Sequence, residues 1–159
     1  CVEQNYRDKP IIKLLWKAIS AYIVHYKIKI LFGCASFPGN NITRFKQQFS
    51  YLYHNHLAPP SIRPVALKND YVPMNYFDKN KINNIEVFQT LPPLIKGYLR
   101  LGVQIGDGAV IDKQFNTIDI CIVLKTNSIQ KKYLKHLNKK KIKSSKIILL
   151  NKFLRRKNK

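Results

Sequence analysis

The sequence predicts a folded domain of the α/β or α+β class. Hydrophobic residues make up 45% and aromatic residues 11% of its 159 residues, which is enough to bury one core. Apolar residues recur at helical spacing over residues 10–26, whereas apolar runs of strand length follow at 28–35 and 117–125. Helical and strand patterns in a chain of this length are typical of a mixed domain.

The first two elements are a helix and a buried strand. Over residues 10–26 a proline suits the first turn, and the apolar residues share one face: Ile11, Leu15, Ile19, Tyr22, Ile23 and Tyr26. Residues 28–35 are apolar, and turn-forming residues follow them: Ser36, Pro38, Gly39 and Asn40. A helix followed by a buried strand indicates a crossover unit.

The middle of the chain predicts a second helix and then a long loop. Asn41 precedes a helical pattern over residues 42–54 and is suited to cap its first turn. Residues 55–90 are rich in Pro, Asn and Lys and show no lasting period, which predicts an irregular loop that faces the substrate. Three elements follow: a helix over 91–101 opened by Pro92 and Pro93, and strands over 103–110 and 117–125.

The positive charge is concentrated at one end of the chain. The formal net charge is +21, and 14 of the 29 Lys and Arg lie in residues 120–159, where no acidic residue occurs. We therefore divide the chain into a domain over residues 1–137 and a basic, partly amphipathic tail over 138–159. A basic nucleic-acid-binding protein and a membrane-surface protein without catalysis are the alternatives that this charge leaves open, although no nucleic-acid motif supports the first.

Cysteine and histidine spacing predicts no metal site. Cys1, Cys34 and Cys121 form no C-x-x-C pair and no zinc-like pattern with the histidines, so reduced thiols in a cytoplasmic protein are expected. The sequence contains no visible signal peptide and no apolar run long enough for a membrane span. Because the chain opens at Cys1 and its single methionine is Met74, we expect an N-terminally truncated fragment.

Three segments resemble a known family. These are Tyr6-Arg7 with Leu14-Leu15-Trp16, residues 31–39 (LFGCASFPG), and residues 91–117 (LPPLIKGYLRLGVQIGDGAVIDKQFNT). They resemble the ornithine lipid acyltransferases, the L-ornithine N-alpha-acyltransferases once labelled hemolysin-like, which belong to the GNAT superfamily. The resemblance covers residues 1 to about 135.

The resemblance implies a fold, a reaction and partners. The fold is a GNAT-like mixed sheet flanked by helices, here lacking its N-terminal strands. The reaction transfers a 3-hydroxyacyl group from acyl carrier protein to the alpha-amine of ornithine, giving lyso-ornithine lipid. No cofactor is bound; the acyl-phosphopantetheine of acyl carrier protein is a co-substrate. An anionic membrane surface is a further expected partner, with a peripheral location at the inner membrane, and no specific nucleic acid is expected.

Attack of an amine on a thioester needs a base and fixed hydrogen-bond donors. Asp107, between two glycines at a strand end, and Asp112 are the candidates for proton transfer or for binding a diamine. Asp107 is equally suited to an Asx turn. Ser36, just after an apolar strand, is the candidate donor. We therefore predict Asp107 and Ser36 as catalytic and Asp112 as substrate-binding.

Basic residues and one strand are predicted to hold the two substrates. Lys96 and Arg100 share a helical face and suit the ornithine carboxylate or the carrier phosphate, unless that face is only solvated. Arg7 and Lys9, in a glycine-free turn at the helix entrance, suit the single phosphate of a carrier protein, with a solvated basic turn as the alternative. The resemblance implies that the strand containing Cys34 lines the pantetheine arm of the donor. Because Cys34 lies inside an apolar strand, we expect its thiol to be buried and inert.

His54 and His56 are the histidines closest to a site-like pattern. Neither is followed by Asp at the H-x-x-x-x-D spacing of glycerophosphate-type acyltransferases, which excludes that family for this fragment. A role as base and a role in packing or capping the helix end both remain open.

Overall fold

A computed structural model describes residues 3–6 and 9–128 of the chain. The chain divides into two compact units, and the larger, Tyr22–Gln130, contains the sheet. The described part of the smaller unit consists of a 3-10 turn, Gln4–Tyr6, and the helix α1 (Lys9–His25) as far as Ala21. Among the described residues, no helix has both the length and the apolar character needed to cross a membrane.

Helix α1 confirms the prediction over residues 10–26 to within one residue at each end. Inside it, the Ser20 hydroxyl donates to the Trp16 carbonyl at 2.8 Å, one turn earlier. The helix ends where Lys27 adopts a left-handed backbone with φ of 51°, and the Ile28 amide bonds back to the Ile23 carbonyl at 3.0 Å.

Three antiparallel strands form the sheet, in the order β1-β3-β2. They are β1 (Ile30–Pro38), β2 (Gln104–Asp112) and β3 (Thr117–Lys125). The α+β class is confirmed. Strand β3 is the central strand and is hydrogen-bonded on both sides; apart from Thr117, Asp119 and Lys125 its sequence is apolar. Strand β1 continues beyond its predicted end, because Ser36 and Pro38 still pair with Asp119 and Thr117.

Strand alternation gives the sheet a core face and an outer face. The core face carries Ala35 and Phe37 of β1 together with buried residues of the other strands: Ile105, Ala109, Ile118 and Ile120. The outer face, defined by the side chains that point the opposite way, carries Phe32, Cys34, Ser36, Val110, Asp112, Thr117, Asp119, Cys121 and Val123.

Helix α2 (Lys46–His56) covers the core face. Its Phe49 ring meets the Phe37 ring of β1 edge to face, with centroids 5.0 Å apart. Phe49 and Leu52 are fully buried, which stabilises the fold by about 2–3 kcal/mol each. Asn41 caps as predicted, accepting from the Thr43 amide at 3.0 Å, but a 3-10 turn, Ile42–Phe45, precedes α2.

Residues 57–90 are more ordered than the predicted irregular loop. Their first part runs along β2: the Ala58 amide bonds to the Ile105 carbonyl at 2.8 Å, and Val72 and Ala109 exchange two amide bonds of 2.9 Å. The prediction also missed the helix α3 (Asn84–Thr90), which is too short to show a clear period and which Asn83 caps. Helix α4 (Pro93–Leu101) follows and confirms the helix expected there.

Candidate functional site

The outer face of the sheet brings together polar groups from all three strands. Ser36 of β1 lies directly opposite Asp119 of β3, and Asp119 in turn lies opposite Val110 of β2. The next row towards the β2–β3 hairpin contains Thr117 and Asp112. Because directly opposed side chains in a sheet are about 5 Å apart at Cβ, these groups can act on one bound molecule.

Asp119 and Thr117 each carry a buried polar atom on this face. Among the described residues, Asp119 Oδ1 and Thr117 Oγ1 are buried side-chain atoms with no hydrogen-bond partner. Buried polar atoms are nearly always paired, because burial without a partner costs free energy. These two oxygens are therefore the atoms of this face that lack a hydrogen-bond donor within the described part of the chain. The sequence analysis missed both residues, although Thr117 and Asp119 are polar interruptions of period two in an apolar strand.

Ser36 is an exposed residue of this face. Its place in β1 results from alternation, since Ala35 and Phe37 on either side are buried in the core. The Ser36 hydroxyl therefore lies on the same side of the sheet as the Asp119 carboxylate. This placement makes a hydroxyl donor and a carboxylate acceptor neighbours across two strands.

Asp107 lies in an irregularity of β2, between Ile105 and Ala109, where the pairing with β3 shifts register. Its amide donates to the Pro64 carbonyl at 2.8 Å, and its Oδ1 accepts from the Tyr71 hydroxyl at 2.7 Å. That bond to Asp107, aided by burial, raises the pKa of Tyr71 to about 12. One oxygen of Asp107 thus fixes the loop onto β2, and the carboxylate remains partly accessible.

Asp112 closes the β2–β3 hairpin. Its Oδ1 accepts from the Phe115 amide at 2.9 Å, and Asn116 completes the turn with a left-handed φ of 52°. Asp112 therefore contributes to the turn as well as to the outer face. Its binding role stays a prediction.

Lys96 and Arg100 both contact helix α3. Lys96 Nζ donates to the Gln89 carbonyl at 3.1 Å, and the Arg100 guanidinium lies over the Phe88 ring, 5.7 Å from its centroid. These contacts join α4 to α3. Neither contact involves Ser36 or Asp107, the two predicted catalytic residues.

Curated proteins similar to this chain share one name. The L-ornithine N(alpha)-acyltransferase of Brucella abortus is 41% identical over 136 residues, or 86% of this chain and 48% of that protein. Its namesake in Agrobacterium fabrum is 40% identical over 86% of this chain and 46% of its own length. The Rhodobacter capsulatus protein is 35% identical over 84% of this chain and 51% of its own. The resemblance to the L-ornithine N(alpha)-acyltransferases is confirmed.

The chain spans about half the length of the L-ornithine N(alpha)-acyltransferases it matches. No protein-family profile matches the chain. No solved structure matches it either. The similarity to this family is therefore a similarity of sequence, and the fold described above is taken from the structure of this chain alone.

The residues predicted to hold the acyl donor have different outcomes. Arg7 lies outside the described residues, and Lys9 begins helix α1. The expectation that the Cys34 thiol is buried is wrong: Cys34 is exposed, because strand alternation places it on the outer face. Its neighbour across the sheet is Cys121, half-buried on β3.

Both histidines of helix α2 have local partners. His54 Nε2 lies 2.8 Å from the Phe77 carbonyl, and His56 Nε2 lies 3.2 Å from the Tyr51 hydroxyl. Burial lowers the pKa of His56, so the ring is neutral near pH 7. These contacts favour the helix-end packing role over the role as base.

A cationic depression beside α2 is a second feature that the sequence analysis missed. Arg44 lies over the Phe45 ring at 5.9 Å, and Lys46 lies over the Tyr76 ring at 5.1 Å. The depression has a volume of about 320 Å³ and is lined by Thr43, Arg44, Lys46, Gln47, Gln48 and Phe77. Two cations beside amides and a hydroxyl are suited to bind a phosphate or a carboxylate.

Proposed function

We propose that the protein transfers a 3-hydroxy fatty acyl group from acyl carrier protein to the alpha-amine of ornithine, forming a lyso-ornithine lipid. The similarity to four proteins named L-ornithine N(alpha)-acyltransferase, over 84–86% of this chain, carries the proposal. Their name specifies acyl transfer and the amine that accepts the group. The outer face of the sheet supplies groups suited to that chemistry.

Asp119 is the group we assign to the amine. An ammonium must lose a proton before its nitrogen can attack, and a carboxylate oxygen without a hydrogen-bond partner among the described residues is suited to accept that proton. The buried Oδ1 of Asp119 is such an acceptor, and the Thr117 hydroxyl lies on the same face. The ammonium in turn supplies the hydrogen bond that the buried oxygen lacks within the described part of the chain.

Ser36 is the group we assign to the thioester carbonyl. As the amine nitrogen bonds to the carbonyl carbon, negative charge develops on oxygen, and a fixed hydroxyl donor stabilises it. The carbon–sulfur bond then breaks, and the departing thiolate takes the proton held by Asp119. The attacking nitrogen loses its second proton to solvent water, which leaves the neutral amide and the free thiol. Ser36 and Asp119 lie opposite each other across β1 and β3, and this pairing supports the assignment of both groups to one reacting carbon.

The outer face changes from polar to apolar along β1. Ser36 lies at the polar end, and Phe32, which is 80% exposed, lies two rows away on the same face. Four residues of strand span about 13 Å. This gradient suits a product with an amino-acid headgroup at one end and an acyl chain at the other.

Acyl carrier protein is the donor that the cations favour. Its arm carries one bridging phosphate, so a few cations are sufficient, whereas coenzyme A carries a pyrophosphate that normally requires a glycine-rich turn. The turn before α1 contains no glycine. Arg44 and Lys46, which lie over the Phe45 and Tyr76 rings, add two positive charges that can attract an acidic carrier protein.

The test is an acyl-transfer assay with the full-length protein. We expect ornithine-dependent release of the carrier thiol, with N-alpha-acylornithine identified by mass spectrometry. The kcat/KM for the carrier-protein thioester should exceed that for the matching coenzyme A thioester. Thiol release that does not depend on ornithine, or acylation of the delta-amine, would contradict the proposal.

We also propose that the protein works at an anionic membrane surface, because a long-chain lyso-lipid is poorly soluble in water. The tail over residues 138–159 lies outside the described residues, but its sequence combines Lys and Arg with apolar residues. Each cation near an anionic leaflet adds about 1 kcal/mol to binding. Deleting the tail should weaken binding to anionic vesicles and leave transfer in detergent intact; vesicle binding that survives the deletion would contradict this role.

A further inference from the structure

Two cysteines face each other across the outer face of the sheet. The pairing of β1 with β3 places Cys34 directly opposite Cys121, and both thiols are free. Opposed residues of antiparallel strands have Cα atoms about 4.5–5.5 Å apart. Disulfides span Cα distances of about 4.4–6.8 Å, so the Cα spacing of this opposed pair lies within the range that a bridge requires.

The two thiols have different surroundings. Cys34 is exposed, whereas Cys121 is half-buried on the central strand. Beside Cys121, the Gly106 backbone of β2 packs closely, since a Cβ at Gly106 would lie 3.3 Å from the Cys121 Cβ and 2.7 Å from the Pro64 carbonyl oxygen. Burial raises the pKa of Cys121, and the adjacent Cys34 raises it further. An external reagent therefore reaches the Cys34 thiol first, and the Cys121 thiol is the neighbour that can then react with the modified Cys34.

We propose that Cys34 and Cys121 form a reversible dithiol–disulfide pair that is oxidised by low-molecular-weight disulfides such as glutathione disulfide. The Cys34 thiolate attacks glutathione disulfide, forming a mixed disulfide and releasing one glutathione. The Cys121 thiolate then attacks the Cys34 sulfur, closing the bridge and releasing the second glutathione. Two cysteine thiols are oxidised, one glutathione disulfide is reduced, and the two protons end on the two glutathione thiols.

The bridge would fix β1 to β3 in the middle of the outer face, between Phe32 and Ser36. It would close a loop from residue 34 to residue 121, and long closed loops give large stabilisation in the chain-entropy model. In a reducing cytoplasm such a bond is transient and responds to the redox state. This inference rests on the strand register and does not depend on the proposed reaction.

The test treats the reduced full chain with glutathione disulfide, alkylates the remaining thiols and maps the peptides under non-reducing conditions. We expect a peptide linked through Cys34 and Cys121, together with a rise in the thermal midpoint that dithiothreitol reverses. Cys34→Ser and Cys121→Ser should each abolish the rise, and Cys1→Ser should retain it. Cys121→Ala serves as a second variant for the half-buried position.

Three results on the wild-type chain would overturn the pairing. They are a Cys34–glutathione adduct that persists, a bridge from either residue to Cys1, and full alkylation of both thiols after oxidation. The peptide map decides among them without any variant, so poor folding of a substituted protein does not affect the outcome.

Discussion

Asp119 and Asp107 carry the same charge on the same sheet, but their surroundings give them different chemistry. Asp107 accepts a 2.7 Å bond from Tyr71, whereas Asp119 has a buried oxygen without a partner in the described part of the chain. Sequence favoured Asp107, because glycines on both sides mark a special backbone. The sequence does not show that Tyr71, 36 residues away, donates a hydrogen bond to Asp107. Nor does it show that Asp119 lies opposite Ser36 in the sheet.

The Asp107→Asn substitution distinguishes a role of the Asp107 charge in binding the substrate amine from the role of its oxygen in bonding the loop through Tyr71. The amide oxygen can still accept from Tyr71, so the free energy of unfolding should change by less than about 0.5 kcal/mol. Tyr71→Phe is the matched variant: it removes the bond but keeps the carboxylate, and should cost about 1 kcal/mol at this exposed position. If Asp107 binds substrate, only Asp107→Asn lowers kcat/KM for ornithine; equal kinetics in both variants would remove Asp107 from the site.

Gly108 tests the close approach of the loop to β2. Its φ of 84° is left-handed, and an added Cβ would lie 2.4 Å from the Tyr71 ring and 2.9 Å from the Ala66 Cβ. Gly108→Ala should therefore lower the free energy of unfolding by about 3 kcal/mol, through backbone strain and overpacking. Gly97→Ala is the control, because nothing lies within 4 Å of an added Cβ in helix α4, and it should stabilise by about 0.5–1 kcal/mol. Denaturant titration measures both; a neutral Gly108→Ala would show that the loop is not held there.

At the level of elements, helix α2 packs against the core and also bonds to the loop that contains Tyr76 and Phe77. Ser50 is fully buried in α2, and its Oγ accepts from the amides of Tyr76 at 2.9 Å and Phe77 at 3.0 Å. Phe77 also lines the cationic depression. One hydroxyl therefore fixes the segment that forms a wall of that depression.

Ser50→Ala should destabilise the protein by about 2–3 kcal/mol, because two backbone amides lose their acceptor in a partly buried place. Ser61→Ala, at an exposed position, is the control and should change stability by less than about 0.5 kcal/mol. Thermal or denaturant unfolding measures the difference. Equal stability of the two variants would mean that water satisfies the Tyr76 and Phe77 amides equally well.

Long elements were predictable from sequence and short ones were not. The periods of α4, β2 and β3 are clear because each buries one face or lies largely in the interior. Helix α1 shows a helical period although several of its apolar side chains are exposed, among them Leu15, Ile19 and Tyr22. The sequence predicts an irregular loop over residues 55–90, yet residues 57–72 are ordered by hydrogen bonds to β2, which a local pattern does not record. Helix α3 has 7 residues, fewer than two turns of clear period.

For the whole molecule, the sequence similarity to acyltransferases and the concentration of positive charge beyond residue 120 are two separate indications of function. The similarity covers 84–86% of the chain and gives the acyltransferase relation, whereas the strongest charge lies beyond residue 120. A nucleic-acid-binding protein would depend on that charge alone. Such binding would be lost with salt and would not need Ser36 or Asp119, so the outer face distinguishes the two functions.

The most direct measurement is the steady-state kinetics of Asp119→Asn with ornithine as the varied substrate in the full-length enzyme. Asp78→Asn is the matched control, since Asp78 forms a surface ion pair with Lys81 at 2.8 Å. We predict that Asp119→Asn lowers kcat/KM by at least about 100-fold, as expected for loss of a base, with an unchanged thermal midpoint. The control should retain full activity. Wild-type kcat/KM for ornithine in Asp119→Asn would contradict the assignment of the amine to the outer face.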